Sequence, residues 1–595
     1  MLLTALVLAP WVYGSVEDSV RYALCAVLLV AAALFGWPDL RDGKIPRGAL
    51  IALAFPAFAL VQIGLRQTVA PILSVEAAMV GFAMAMVWAA VDGRAGSTST
   101  NSGRRLAAAF LLACASETAF AAFQWSADRT ALFGQHGGLQ TMPFGSYVNH
   151  NNFAGLVSLG VPLAIAIAIG DLRRSGKLTP LGLGLMGLAC GLSISVFASG
   201  SRGGAVALVS GLIVLAWISA GLQKKTNARR GWFYAGVAGS AVLGFALSVI
   251  PDATRVRLFK LAGEDGSSAY RMDIGLAAVR AFAARPILGS GLGAFGDAAA
   301  PFKQGHGDVR SERAEADLVE FATEGGVILL AALIVFGRFA WSTSHREMAE
   351  SRDRSGRWLR AGALAACATM LVHSLFDFGF RIPANALAFA VLLGIATATS
   401  HSAASVRPAQ TRVLVLFLGV ATAGCVYRSL GAAGERAALG RATPESRLDA
   451  LQPLVDAHPY LDAARRERGL AWLALAYSHG QYAPARLSRA RQDLEIVVAS
   501  RRQWGVARAD LAWIKYFQGQ IADSRREMDE AARLDPTHVG VGIASAQLSA
   551  WSGDLQAALE RVSSLRRANP AWSRASAREL VASWTKNPAV LENVP

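Results

Sequence analysis

Long apolar segments alternate with short polar connections along the first 430 residues. A helix needs about 20 apolar residues to cross the hydrocarbon core of a membrane. The pattern predicts an all-α, polytopic membrane domain over residues 1–430, with about 12–13 spans. The first segment lacks a basic start, so we expect a short retained span and not a cleaved signal. Thirteen segments are counted, near residues 1–14, 22–37, 48–65, 72–91, 106–124, 152–170, 179–198, 203–221, 231–250, 319–341, 359–376, 383–399 and 412–429.

The composition agrees with a membrane protein. Of the 595 residues, 53% are hydrophobic and only 17% are charged, whereas soluble domains contain about 25% charged residues. The net charge of +16 comes largely from basic residues in the connections, where Lys and Arg face anionic lipid. No nucleic-acid motif accompanies them, so we expect membrane lipids and not nucleic acid as their partners.

Basic residues fall on every second connection, and this predicts the orientation. Connections rich in Lys and Arg face the cytoplasm. The N-terminus is then cytoplasmic, and thirteen crossings leave the C-terminal part on the outer side of the membrane. The six basic connections contain Arg41, Lys44 and Arg47; Arg94, Arg104 and Arg105; Arg173, Arg174 and Lys177; Lys224, Lys225, Arg229 and Arg230; Arg346, Arg352, Arg354 and Arg357; and Arg407 and Arg412.

Two regions lie outside the predicted spans. Residues 251–318 form a large polar loop on the periplasmic side, and connections of that length are usually functional. Residues 431–595 are rich in Ala, Arg and Leu and have a helical pattern. We therefore predict a membrane domain with one large loop and a separate helical domain.

The C-terminal region contains an internal repeat. Gly519 and Gly553 are 34 residues apart, and so are Pro536 and Pro570. The order helix, glycine turn, helix and proline stop is similar to the tetratricopeptide pattern. An ordinary helical bundle with coincidental spacing is the alternative. A repeat domain of this kind predicts a periplasmic protein partner.

Polar side chains at the mouths of membrane helices are candidate functional groups, because they are costly to place there. The stretch GSYVNHNNFAG brings Asn149, His150 and Asn152 to the outer start of the sixth segment. Amides suit sugar hydroxyls and phosphate oxygens, and a helix N-terminus favours anions. We expect these three residues to bind substrate, although a single Asn also serves as an ordinary N-cap.

Two arginines are candidates for binding phosphate. The tight turn SGSRGG leaves Arg202 at the membrane surface, and in the large loop YRMDIGLAAVRAF places Arg271 at the opening of an amphipathic helix. Arginine matches phosphate geometry with two parallel hydrogen bonds. The simpler interpretations are that Arg202 reaches lipid headgroups and that Arg271 pairs with Asp273 or lies on a solvent-exposed face. The glycines that follow, in residues 285–296, are not a nucleotide fingerprint, because no strand precedes them.

Acidic residues follow where the loop returns to the membrane. RAEADLVEFATEGG carries Glu315, Asp317, Glu320 and Glu324 into an apolar helix. A carboxylate at this boundary is a candidate general base, although acids also favour a helix N-terminus. We select Glu315.

Further candidates for substrate binding lie in two other stretches. HSLFDFGFRIPANA contains His373, Asp377 and Arg381, and QGHGD contains His306. For the first stretch, a polar cluster that only joins two helices is an equally weighted interpretation.

The five cysteines, Cys25, Cys114, Cys190, Cys367 and Cys425, all lie in apolar segments. We therefore expect no disulfide and no cysteine metal site.

Taken together, these stretches resemble the O-antigen ligase and polymerase superfamily over about residues 100–400. GSYVNHNNFAG is similar to its N-x-N-x-F-A motif, SGSRGG to its S-R-G turn, and YRMDIGLAAVRAFAARPILGSGLGAF to the opening of its large periplasmic loop. HSLFDFGFRIPANALAFAVLLGI resembles its exopolysaccharide-polymerase-like members. The resemblance implies a helical, GT-C-like, metal-independent glycosyltransferase.

The resemblance also implies a reaction. Family members move a glycan from undecaprenyl pyrophosphate to an acceptor hydroxyl at the periplasmic face, with the arginines that Arg202 and Arg271 match holding the pyrophosphate. Ligases carry a His-Asn pair near the end of the large loop, but here Glu315 and Ala316 stand at that place. Three alternatives follow: Glu315 is the base, His306 replaces the missing His, or the base contributes little.

The departure at Glu315 weakens a lipid A ligase and favours a polymerase of O-antigen or exopolysaccharide units. An O-antigen ligase or a protein O-oligosaccharyltransferase is the first alternative, since a periplasmic repeat domain suits a protein partner or acceptor. Polysaccharide transport is less favoured, because the polar motifs gather at one membrane face and not at midplane sites. A scaffold without activity is the remaining alternative.

Overall fold

A computed structural model gives the fold of the chain. The predicted segment at 231–250 and the start of the large loop, 251–265, lie outside the residues that it describes. The described residues are 1–41, 44–46, 51, 54–97, 101–128, 132–133, 143–222, 266–307, 311–351, 353–398, 403–405, 408–477, 483–592 and 594.

The described part of the first 440 residues is mainly helical, with turns and loops between the helices and two short strands. The strands β1 (Lys44–Pro46) and β2 (Ala403–Ser405) pair antiparallel. The all-α prediction is therefore confirmed. The helices are α1 (Leu2–Leu8), α2 (Asp18–Arg41), α3 (Ala54–Gly64), α4 (Pro71–Ser97), α5 (Asn101–Ala127), α6 (His150–Ser175), α7 (Pro180–Ala198), α8 (Arg202–Gly221), α9 (Gly266–Ala284), α10 (Phe295–Ala299), α11 (Asp317–Glu350), α12 (Arg354–His373), α13 (Pro383–Thr397) and α14 (Pro408–Leu439).

Eight of the described helices are long and apolar enough to cross a membrane, namely α2, α4 to α8, α11 and α14. The helices α3 and α13 are apolar but shorter. The helix α1 has only seven residues and spans about 10 Å, too little to cross alone. A polytopic membrane protein is confirmed, and the count of 12–13 spans stays a prediction.

The helix α6 lies at the centre of the membrane domain. In its apolar stretch 89% of the residues are buried inside the protein, the largest share among the candidate spans. Small residues allow the close crossings around it: a Cβ on Gly362 of α12 would lie 2.7 Å from the Cβ of Ala166. Because lipid tails are as apolar as these side chains, close packing of this kind drives helix association in membranes.

The glycine-rich turn of the large loop packs into a kink of α11. Gly289, Gly291 and Gly293 all have positive φ, and a Cβ on Gly289 would lie 2.3 Å from the backbone of Glu324. The buried Gln62 of α3 joins both sides, since its Nε2 donates to the carbonyl oxygens of Leu288 (2.6 Å) and Glu324 (2.8 Å). This contact fixes α9, which precedes the turn, against the start of α11.

The C-terminal region forms a series of helices, many of them in pairs. The predicted boundary at 430/431 falls inside α14, which continues to Leu439. Gly519 and Gly553 adopt φ of 77° and 85° at the turns between paired helices, a backbone conformation that suits glycine. The tetratricopeptide assignment itself stays a prediction. The helices are α15 (Pro444–Ala457), α16 (Asp462–Ala476), α17 (Pro484–Ser500), α18 (Gly505–Phe517), α19 (Ile521–Leu534), α20 (Val539–Trp551), α21 (Leu555–Ala568), α22 (Arg574–Ala582) and α23 (Pro588–Glu592).

Candidate functional site

The asparagine-rich start of α6 has structural duties. Asn149 is the N-cap, and its Oδ1 accepts from the backbone N–H of Asn151 at 2.9 Å. The carbonyl oxygen of the buried Asn152 accepts from Nδ2 of Asn385 on α13 at 2.9 Å, and Oδ1 of Asn385 accepts from the Tyr147 hydroxyl at 3.0 Å. His150 follows the cap and is half-buried. Asn149 therefore caps α6 through its Oδ1, and its role in substrate binding stays a prediction.

The SGSRGG turn packs directly on this helix start. Ser201 caps α8 by accepting from the backbone N–H of Gly204 at 3.1 Å, and Arg202 is the first helical residue. A Cβ on Gly204 would lie 2.7 Å from that of Ala154, and one on Gly203 would lie 3.0 Å from that of Phe376. The turn thus brings Arg202 between the start of α6 and the connection from α12 to α13.

That connection carries a buried acid–base pair. His373 and Asp377 are 0% and 1% exposed, and Nδ1 of His373 lies 3.9 Å from Oδ2 of Asp377, beyond direct hydrogen bonding. Within the described part of the chain, neither ring nitrogen of His373 has a hydrogen-bond partner. Buried polar groups normally have one. His373 also lies against α6, since a Cβ on Gly155 would be 3.1 Å from its ring.

Arg271 and Glu315 form an ion pair outside the membrane helices. Nη2 of Arg271 on α9 lies 3.4 Å from Oε2 of Glu315, and their side chains are 39% and 20% exposed. Pairing with Asp273 was the simpler interpretation of Arg271, but the structure pairs Arg271 with Glu315. Glu315 precedes α11 with φ of 58°, a conformation that non-glycine residues rarely adopt.

The electrostatics connect this pair to the buried acid. Burial raises the pKa of Glu315, the charge of Arg271 lowers it, and Glu320 raises it. Burial also raises the pKa of Asp377 to about 7; the charge of Glu315 adds to the rise, while the Phe378 backbone and Arg271 oppose it. Carboxyl groups whose pKa is raised by burial and by a neighbouring charge are typical of active sites, and also of structural networks.

His306 lies on the other side of Arg271. Its Nδ1 is 3.6 Å from Oδ2 of Asp273, and its ring meets that of Tyr270 edge-on at 5.7 Å. The structure therefore ties His306 to the helix that carries Arg271, and Glu315 is the group that pairs with Arg271 itself.

Arg381 is held by two buried acids. Its Nε lies 2.9 Å from Oε1 of Glu320, and its Nη2 pairs with Glu324. Arg313 also reaches Glu320, at 3.1 Å. The charge of Arg381 is therefore neutralised within the protein. For Arg381 these contacts favour the interpretation of a structural polar cluster, which the sequence had weighted equally with substrate binding.

Sequence reasoning missed how α11 fastens to the connection between α12 and α13. Asp317 donates its backbone N–H to the carbonyl oxygen of Asp377 at 3.2 Å, and its Oδ2 accepts from the N–H of Phe380 at 2.9 Å. One signal in the sequence could have indicated that these segments meet. Glu320 and Glu324 lie one turn apart in a helix that continues with apolar residues, so they need a buried cation, and Arg381 in the connection supplies it.

Five separate stretches of sequence thus meet in one region at the ends of α6, α8, α12 and α13. The glycine contacts join GSYVNHNNFAG, SGSRGG and HSLFDFGFRIPANA. The Arg271–Glu315 pair joins the loop helix that begins near YRMD to RAEADLVEFATEGG. Asp317 joins RAEADLVEFATEGG to HSLFDFGFRIPANA. Among the described residues, no group of three or more His, Cys, Asp or Glu side chains has the arrangement of a metal site.

Comparison with known proteins identifies one family. Residues 185–334 match the model of the family described as O-antigen ligase. The match contains Arg202, Arg271, His306 and Glu315, and it supports membership of the O-antigen ligase superfamily and an O-antigen ligase or polymerase type of membrane enzyme. Such an enzyme acts on a lipid-linked glycan and an acceptor. No curated protein matches the chain.

Proposed function

We propose that this protein is a glycosyltransferase that moves glycan from undecaprenyl pyrophosphate to an acceptor hydroxyl, and that it polymerises O-antigen or exopolysaccharide repeat units. The observation that carries the proposal is the partly exposed Arg271–Glu315 pair, which lies within the matched family region and acts on the buried Asp377. The pair supplies a cation for phosphate and a carboxylate for a proton in one place.

The proposed step uses these groups as follows. The acceptor hydroxyl attacks the anomeric carbon of the donor glycan, the bond from that carbon to the phosphate oxygen breaks, and undecaprenyl pyrophosphate leaves with the bonding electrons. Arg202 and Arg271 stabilise the charge that develops on the leaving group, a catalytic contribution that is often the largest. Glu315 accepts the hydroxyl proton, and its raised pKa brings the carboxylate closer to the range of an effective base.

The remaining polar residues complete the proposed site. Asn149, His150 and Asn152 bind donor phosphate or sugar at the start of α6, and the buried pair His373 and Asp377 forms the floor beneath them. Their support is the packing of Gly155 against His373, and of the SGSRGG turn against Ala154 and Phe376, which are close to these groups in the chain. No metal ion or cofactor is proposed.

The proposed location is the bacterial inner membrane, with the N-terminus in the cytoplasm and the site and residues 431–595 in the periplasm. The basic connections of the sequence support this orientation. An O-antigen ligase or a protein O-oligosaccharyltransferase, with a periplasmic protein partner for the repeat domain, is the second candidate, because the family match covers ligases by its description.

The test is a reaction of the purified full-length protein in detergent with an undecaprenyl-pyrophosphate-linked oligosaccharide. Donor alone giving longer lipid-linked chains supports the polymerase. Transfer only after addition of lipid A core or an acceptor peptide supports the second candidate. No transfer with any donor and acceptor, together with normal polysaccharide in cells that carry Arg202→Ala, Arg271→Ala or Glu315→Gln, refutes an enzyme and supports a scaffold.

A further inference from the structure

The C-terminal helical domain contacts the large loop at two places, and the first contact is an ion pair. Arg501, just after α17, donates from Nε to Oδ2 of Asp297 at 2.9 Å and from Nη2 to Oδ1 at 2.7 Å. The side chain of Asp297 on α10 is only 1% exposed. Arg501 also stacks over the ring of Trp504 at 4.1 Å. A buried, two-fold hydrogen-bonded arginine–carboxylate pair is a geometrically specific contact.

The second place is a backbone contact that only glycine permits. The N–H of Gly307 donates to Oδ1 of Asn569 at 2.6 Å, and its carbonyl oxygen accepts from the N–H of Val539 at 3.3 Å. A Cβ on Gly307 would lie 1.5 Å from the carbonyl oxygen of Thr537. Asn569 is itself held, since its Nδ2 donates to that same oxygen at 2.8 Å. The loop therefore fits into the connections that follow α19 and α21.

Residues 304–307 of the loop, which include Gly307, are hydrogen-bonded in turn to α9, the helix that carries Arg271. The backbone N–H groups of Gln304 and Gly305 donate to the two carboxylate oxygens of Asp273, at 3.1 and 3.2 Å. His306 lies 3.6 Å from the same carboxylate. Asp273 is two residues from Arg271 on α9. Direct contacts thus run from Asn569 through residues 304–307 to Asp273, which lies on the same helix as the arginine that pairs with Glu315.

We infer that the C-terminal domain is a clamp on the large loop, with Arg501 and Asn569 as positioning residues that hold Arg271 in place against Glu315. The inference rests on the proposed function for its catalytic consequence. The start of α9 lies outside the membrane helices, and residues 304–307 have no secondary structure of their own. Holding them costs conformational entropy, which the clamp contacts offset. A displacement of about 1 Å at a reacting group is enough to lower a rate by on the order of 100-fold.

The experiment compares full-length variants by turnover on the lipid-linked oligosaccharide and by amide hydrogen exchange. The variants are Arg501→Gln, Asp297→Asn, the double variant and Asn569→Ala. Arg533→Gln is the matched control, because Arg533 is a 65% exposed arginine of the same domain that pairs with a neighbouring glutamate. Unchanged melting temperatures of the membrane domain identify the variants that remain folded.

We expect turnover to fall about tenfold or more in Arg501→Gln and Asn569→Ala, with faster exchange in residues 270–274 and 303–307. The variant that combines Arg501→Gln with Asp297→Asn should lose no more turnover than the more affected of the two single variants, because both single changes break the same ion pair. Arg533→Gln should behave as the wild type.

Wild-type exchange in residues 270–274 of both Arg501→Gln and Asn569→Ala would overturn the inference, and so would faster exchange without any loss of turnover. A wild type that makes no product would refute the proposed function instead. The clamp is then decided by exchange alone: it stands if residues 270–274 exchange faster in the two variants, and fails if they do not.

Discussion

The buried carboxyl of Asp377 predicts an unusual dependence of stability on pH. Its side chain is 1% exposed, and burial, its largest cause, raises the pKa from 3.8 to about 7. A carboxyl with a raised pKa destabilises the folded state when it ionises, so the cost is absent below the unfolded pKa and complete above the folded pKa. Replacement by Asn keeps the shape and removes the ionisation.

The magnitude follows from the size of the pKa change. The rise from 3.8 to about 7 corresponds to about 4 kcal/mol, at about 1.4 kcal/mol per pKa unit. Asp377→Asn should therefore be more stable than the wild type by about 2 kcal/mol at pH 5.5 and about 4 kcal/mol at pH 8.5, as upper values. The informative quantity is the growth of about 2 kcal/mol between the two pH values.

The assay is denaturant or thermal unfolding of the purified protein in detergent at both pH values. Asp456→Asn is the control, since the side chain of Asp456 is 60% exposed and its removal should matter little at either pH. An advantage of Asp377→Asn that is the same at pH 5.5 and pH 8.5, or a loss of stability at pH 8.5, would refute the reasoning. Either result would mean that a cation neutralises the ionised Asp377 in the folded protein.

Other predictions concern the two arginine–glutamate contacts. Arg271→Ala and Glu315→Gln should each lower the transfer rate by on the order of 100-fold or more. Arg280 lies on the exposed side of α9, the helix that carries Arg271, so Arg280→Ala should leave the rate unchanged. Equal losses in all three variants would argue against a specific site. Arg381→Met should destabilise the protein by about 3–5 kcal/mol in unfolding assays, because it leaves Glu324 buried without its cation and leaves Glu320 with Arg313 alone. Adding Glu324→Gln should restore much of the lost stability, and no recovery would count against the structural role of Arg381. The transfer rate should fall at acid pH as Glu315 takes up a proton, at a pH above the ordinary glutamate pKa of about 4.3, and a rate independent of pH between 4 and 8 would contradict a base role. A chelator should leave the rate unchanged, and loss of activity that Mg²⁺ restores would disprove metal independence.

Much of the membrane domain could be predicted from the sequence because each span must satisfy its own backbone in lipid. Apolar length alone therefore located the starts of α4 to α8 and α11 to within a few residues, whereas several of these helices continue beyond the predicted ends. It failed for α1, where the apolar run of 1–14 contains Pro10 and the helix ends at Leu8. Turn glycines were equally informative, as the positive φ of Gly519 and Gly553 illustrates.

The candidate site could be predicted only as a set of separate stretches. Their residue types identified Arg271, Glu315 and the pair His373 and Asp377, because polar groups near a membrane need a reason to be there. Which of them touch is decided by packing between distant helices, and no local pattern contains that information. The assignment of Arg381 to Glu320 and Glu324, and the grip of Asn569 on the loop, depend on such contacts.

The most direct test of the central claim is to measure released undecaprenyl pyrophosphate and new glycosidic bonds in one reaction of the wild type with the lipid-linked oligosaccharide. The account predicts one pyrophosphate carrier released for each bond formed, and both products formed on the order of 100-fold more slowly by Arg271→Ala and by Glu315→Gln. Bonds formed without release of the carrier, or full release by both variants, would contradict it.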